Sequence, residues 1–305
     1  MSSPAQRAAQ RALRQAERGN LPAAWRLLDP HRDAATTDAE YAWAWLVIAN
    51  AAQVGHRHRH RIAAIMAAFP TDAEVAAFGA EILLDDLASR PHDEDPLADD
   101  DQATLALQGL APALDATREP GLLMLKGAAL RRLGPERAAE AVAVLQEAIA
   151  AAPHQTGWQY ELGLALKAAG QFRAAISAFE AYDAAGDDDE VEEGVLWNLG
   201  ICATGAGLGP LALRCWEGLG RTDSRFGPDG LPQVPALLDV RLRVRIAPQL
   251  YTYVLAAPQS PCHGRLLGPA GAVPAGARVL WDTTPVFTDG EEDDDLPCMP
   301  LLGPL

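Results

Sequence analysis

Glycine recurs at Gly19, Gly55, Gly134, Gly170 and Gly207, each closing one helical pattern and preceding another. The separations are 36, 79, 36 and 37 residues, so the middle one spans about two periods. A period of this length constrains the fold more than any other feature of the chain. One pair of helices cannot bury its own apolar face, so successive pairs must stack. The side chains behind the glycines agree. Five residues after three of them stand Ala24, Ala175 and Ala212, small enough to let the second helix of a hairpin approach the first. Nine residues after the same glycines come Leu28, Phe179 and Trp216, large groups suited to wedging between hairpins. The copy after Gly134 fits if its turn holds two extra residues, which makes Ala141 and Leu145 the equivalents and lets Pro153 close the repeat.

The clearest copy is Thr156 to Gly186, with Leu162-Gly163 in the first helix, the turn at Gly170, and Phe172, Ala175 and Phe179 at helical spacing. The next repeats Leu199-Gly200, Gly207, Ala212 and Trp216. These residues resemble the tetratricopeptide repeat family, whose pattern is W-x2-L-G-x2-Y, then A-x3-F, then P, over about 34 residues. The likeness is close from about Leu122 to Gly220 and loose from Pro4 to Phe69. His60 replaces the small Ala and Asp187 the terminal Pro. Ser3-Pro4-Ala5-Gln6 reads as a capping box with Pro at the first helical position, and the first helix is expected to start there without a leader. The reading is mainly α: a tetratricopeptide-like α-solenoid of about five to six helix pairs over residues 1–222, a Gly/Pro-rich linker over 223–235, and a small antiparallel β module over 236–305.

The resemblance implies a protein–protein interaction adaptor that captures a partner peptide or helix in the groove lined by the first helices. Placing Gly127, Gly163 and Gly200 at one repeat position predicts a lining of Met124, Arg131, Arg132, Tyr160, Leu164, Lys167, Trp197 and Ile201. That strip is aromatic and aliphatic with positive edges, suited to an acidic-apolar partner. Packing between repeats is the other reading of these side chains, Trp197 above all. Some members of the family hold a peptide's terminal carboxylate with Lys, Asn and Arg. Asn198 stands at the matching position, but Glu161 in the preceding copy would repel a carboxylate, so that role is not carried over.

Charge is informative by location. The formal balance is −16, and the runs Asp93–Asp101, Asp187–Glu193 and Asp289–Asp295 carry six acids each, leaving 23 acids against 25 bases elsewhere. The acidic runs read as surface loops, and a near-neutral body argues against general nucleic-acid binding. Only Lys126 and Lys167 are lysines among the 25 bases, and with the alanine excess this reads as the coding bias of a GC-rich bacterial genome. No apolar run approaches the length of a membrane span, and the first residues do not read as a secretory signal, so the expectation is a cytoplasmic protein. Cys202, Cys215, Cys262 and Cys298 lack C-x-x-C spacing and read as free thiols.

After Asp223 the composition shifts to Gly and Pro, and Val240 to Ile246 alternates strictly, as a half-buried strand does. Further strands are expected at Tyr251–Leu255, Gly264–Leu267 and Ala277–Trp281, the whole packing on the last repeat as a small sheet or partial barrel. Arg241, Arg243 and Arg245 then share one face, matched by the acidic run at 289–295 or presented to an anionic ligand or acidic partner. Ser260-Pro-Cys-His-Gly264 invites a second functional class, an enzyme or metal/redox module centred on Cys262 and His263 with the repeats recruiting substrate. Against it, adjacent residues point in different directions, and a structural turn is the plainer reading. G-x-S-x-G, Walker A, H-E-x-x-H and G-x-G-x-x-G are absent. No catalytic residue, cofactor or metal site is therefore assigned. His56 to Arg61, HRHRHR, reads as a solvated basic turn, with contact to an anion or a His56/His60 metal site as alternatives.

Overall fold

The fold is taken from a computed structural model that describes residues 2–85, 97–186, 192–234, 237, 239–247, 250–282 and 298–305. Among the described residues, twelve α-helices form six consecutive pairs. They are α1 (Pro4–Ala16) with α2 (Leu21–Leu28), α3 (Ala39–Ala51) with α4 (Gly55–Ala68), and α5 (Ala73–Asp85) with α6 (Leu97–Thr117). Then come α7 (Pro120–Arg132) with α8 (Pro135–Ala151), α9 (Trp158–Ala168) with α10 (Phe172–Asp183), and α11 (Glu193–Gly205) with α12 (Gly209–Gly218). None of them is long and apolar enough to cross a membrane.

Local chemistry explains where the helices start and stop. The Ser3 hydroxyl accepts from the Gln6 amide at 3.0 Å, while the Gln6 side chain accepts from the Ser3 amide at 2.9 Å, a complete capping box. Gly19, Gly134, Gly170 and Gly207 adopt positive φ at the turns, where a Cβ would be strained. Gly55 does not: it is the first residue of α4, and Gln53 takes the left-handed turn at φ 52°. The packing inside each hairpin is as tight as the repeat pattern demands. A Cβ on Gly127 would stand 2.5 Å from Leu145, and on Gly163 or Gly200 2.6 Å from Phe179 or Trp216. Ala24, Ala141, Ala175 and Ala212 are fully buried, as are Leu28, Leu145, Phe179 and Trp216. The large residue of the second helix thus fills the space left by glycine on the first.

The segment HRHRHR is helix α4 and not a turn. The side chains of His58 and Arg61, three apart, share a face that packs on aromatic rings. His58 lies against Trp25 and Trp45, with ring centroids 5.8 and 5.5 Å away, and the Arg61 guanidinium sits 5.3 Å over Trp45. Arg59 pairs with Asp101 at 2.8 Å. The acidic runs are likewise partly helical: Leu97–Asp101 opens α6, and Glu192 and Glu193 form the cap and first residue of α11, where the helix dipole favours acid. Residues 93–96, 187–191 and 289–295 of those runs lie outside the described residues.

The C-terminal strands close into a barrel in the order β3 (Val240–Ala247), β4 (Leu250–Ser260), β5 (His263–Leu266), β6 (Arg278–Trp281) and β7 (Cys298–Pro304). Neighbours in sequence pair antiparallel. With five strands running alternately up and down, the closing pair β3–β7 must be parallel, and it is. The expected sheet therefore gains β7, and closure removes the exposed edges. The barrel core holds Val240, Leu242, Val244, Val254, Ala256, Leu266, Val279 and Trp281. The expected linker over 223–235 carries structure of its own. A short hairpin, β1 (Arg225–Phe226) with β2 (Pro232–Gln233), turns at Gly230, and Leu231 and Val234 are buried.

By contacts the chain divides into two compact units. One comprises residues 1–90, 98–133 and 143–152, the other 91–97, 134–142 and 153–305. The change in composition at 223 is therefore not a division between compact bodies: α9 to α12 and the barrel form one.

Candidate functional site

The left-handed turn residues give a common register for the first helices. Ten residues before Gln53, Gly134, Gly170 and Gly207 stand Trp43, Met124, Tyr160 and Trp197. The expected groove lining follows this register, and the structure separates its members. Met124 and Arg131, on α7, and Leu164, on α9, are half-buried. Lys167 is 4% exposed and Ile201 is fully buried, so neither is available on an open groove.

The reason is long-range. The Lys167 ammonium donates to Asp282 Oδ2 at 2.5 Å and to Asn198 Oδ1 at 2.6 Å. Asn198 is held in turn: its Nδ2 donates to the Tyr160 hydroxyl at 3.1 Å and to the Gly194 carbonyl at 2.8 Å. The carboxylate that Lys167 holds is thus the chain's own, just after β6, with Asn198 steadying the ammonium, and a buried cation is tolerated because it is paired and hydrogen-bonded. Beside it, Ile201 and Trp216 of α11 and α12 bury against Cys262 and Leu280 of the barrel, with Trp197, Phe172, Leu219 and Leu302 packed round them. Trp197 lies 5.4 Å from Trp216, centroid to centroid, and its indole donates to Glu193. The last two repeats therefore turn this face toward the barrel.

Cys262 and His263 sit where the turn after β4 leads into β5. Both are fully buried. His263 Nδ1 is hydrogen-bonded to the Ser260 hydroxyl, which also lies 3.7 Å from Cys262 Sγ. Burial pushes the Cys262 thiol up to about 12, so it supplies no thiolate at neutral pH. Burial, with Arg278 nearby, brings His263 down to about 4, so its imidazole is neutral. The segment turns beside α11 and α12, where Cys262 packs on Ile201 and Trp216, and Trp281 ties it by donating to the Pro261 carbonyl at 2.8 Å. Cys202, Cys215 and Cys262 are free thiols, and no cluster of potential metal ligands occurs among the described residues.

Arg241, Arg243 and Arg245 alternate with buried Val240, Leu242 and Val244 along β3, as the sequence pattern requires. Arg245 reaches Glu136 at the start of α8, 3.3 Å away. The acidic run at 289–295, expected as their match, lies outside the described residues.

In the first unit the same register position is different. Trp43 of α3 is 37% exposed and stacks on Phe78 of α5, ring centroids 5.1 Å apart. Sequence reasoning missed this pair because α3 lacks the Leu-Gly landmark and its turn is formed by Gln53. Counting back from a left-handed residue would have found it.

No protein-family model and no curated protein matches the sequence. Solved structures do. PilW, described as a widely conserved type IV pilus biogenesis factor, is 18% identical, with a TM-score of 0.53 over 73% of this chain and 94% of that one. PilF from Pseudomonas aeruginosa is 15% identical, with a TM-score of 0.49 over 72% of this chain and 91% of that one. MamA is 18% identical, with a TM-score of 0.40 over 54% of this chain and 91% of that one. With the repeat register and the hairpin packing, the PilW likeness establishes what the helical part is: a tetratricopeptide-type repeat fold.

Proposed function

We propose that this protein is a non-enzymatic interaction scaffold whose partner docks on the first helices of the first unit, at Trp43 and Phe78. The observation that carries the reading is the contrast at one register position. In the second unit, Lys167, two helical turns on from Tyr160, and Ile201, one turn on from Trp197, are taken up by the chain's own β6 and barrel. In the first unit the equivalent Trp43 is exposed, and a large aromatic with a wet face is the side chain interfaces use as an anchor. Helical repeats commonly present such faces to polypeptides. Met124 and Arg131, half-buried on α7, are the other expected anchors of this unit. Lys167, Trp197 and Ile201 are reassigned from partner binding to holding the barrel, and Tyr160 to holding Asn198.

The test is affinity capture from a lysate of the source cells with the full chain and with Trp43→Glu, both checked for equal helix content. The reading expects at least one saturable partner whose capture falls about tenfold or more in the variant. Equal capture of every partner by both proteins would sink it.

A further inference from the structure

The barrel carries a second exposed surface, on the outer face of β3, β4 and the end of β5. Leu267, Tyr253 and Leu255 are 54%, 44% and 41% exposed, among the most exposed large apolar side chains described. They are neighbours. Tyr253 and Leu255 are alternate residues of β4 and share a face, and the Leu267 amide donates to the Leu255 carbonyl at 2.8 Å. On one side the apolar group is flanked by β3, where Arg243 stands opposite Tyr253 and Arg241 opposite Leu255 in register. On the other side stands exposed Arg265, two residues before Leu267, its guanidinium donating to the Gly276 carbonyl at 3.0 Å. An apolar centre with a tyrosine, bordered on both sides by arginine, is the layout of a polypeptide interface.

We infer that this face of the barrel is a docking surface for an acidic-apolar polypeptide segment. Its arginines already make contacts within the chain. What selects the partner is their summed positive charge beside uncovered apolar area, in a protein whose formal net charge is −16. A nucleic acid is the weaker match, because strand-binding surfaces stack bases on aromatic platforms, whereas two of the three exposed groups here are leucines. The surface is independent of Trp43, so a scaffold with both would join two partners.

The probe is a short synthetic peptide alternating glutamate with leucine, titrated against the full chain by fluorescence anisotropy. Comparisons are the same peptide with lysine in place of glutamate, and a single-stranded oligothymidylate. The acidic peptide is expected to bind, the lysine peptide and the oligonucleotide at least about tenfold more weakly. Leu255→Glu with Leu267→Glu, both at exposed positions, should weaken the acidic peptide at least about tenfold. Arg241→Gln with Arg243→Gln should flatten the dependence on salt. Trp43→Glu should leave this titration unchanged, which separates its outcome from that of the scaffold reading. Binding that is undetectable, indifferent to the leucine variants, or tighter for the oligonucleotide would overturn the inference.

Discussion

Trp43 and Trp197 occupy the same place in their helices, ten residues before a left-handed turn, yet they meet different surroundings. Beside Trp197 the face is closed by a barrel from the same chain, while Trp43 is exposed and stacks only partly on Phe78. Repeat position sets which way a side chain points. What covers it is decided by residues far away in sequence, here Asp282, 115 residues beyond Lys167. A repeat landmark alone therefore does not identify a binding residue.

The largest effect is expected where the second unit holds its own carboxylate. Asp282→Ala leaves the Lys167 ammonium buried and uncompensated, and should cost roughly 3 kcal/mol in denaturant unfolding. Lys167→Met combined with Asp282→Leu should recover most of that loss, since neither charge then needs solvating. If the single and double variants were equally unstable, the pair would not be what holds the seam.

A comparable change follows from pH. His263 is brought down to about 4 in the folded protein from the ordinary imidazole value of 6.5. Below pH 6.5 the unfolded chain takes up a proton that the folded one refuses, so stability present above that pH is lost as pH falls towards 4. The full loss is about 3 kcal/mol from this group. Chemical denaturation at several pH values checks it, and His263→Asn should remove that part of the slope.

Smaller effects come from the hairpins and caps. Gly200→Ala places a methyl against the Trp216 ring and should cost about 1–3 kcal/mol by overpacking. Ser3→Ala should cost about 1 kcal/mol through the lost cap. Trp43→Ala, which gives up the contact with Phe78, should cost only about 1 kcal/mol. A large loss there would mean that the first unit relies on Trp43 for packing, which erases the contrast with Trp197.

Features set by near neighbours were legible in the sequence. The Ser3 cap, the turns at Gly19, Gly134, Gly170 and Gly207, the small-to-large packing pairs and the alternation along Val240–Ile246 all follow from spacing. Features set by distant pairing were not. Strand β7 reads CMPLLGP, with two prolines and a glycine that locally argue against a strand, and it exists because β3 and β6 flank it. Lys167 pointed where the repeat pattern placed it, but its carboxylate partner lay in another element. The basic run at α4 was misread because Gly55 suggested a turn, although the spacing of His58 and Arg61 was already helical.

The most direct measurement of the central claim uses the scarcity of lysine. Lys126, half-buried on α7, and Lys167 are the chain's only two lysines. Brief acylation of the folded protein, read by peptide mass spectrometry, should modify Lys126 while leaving Lys167 intact, and Asp282→Ala or unfolding should make Lys167 reactive. Acylation of both at one rate in the folded wild type would contradict the covered face on which the account rests.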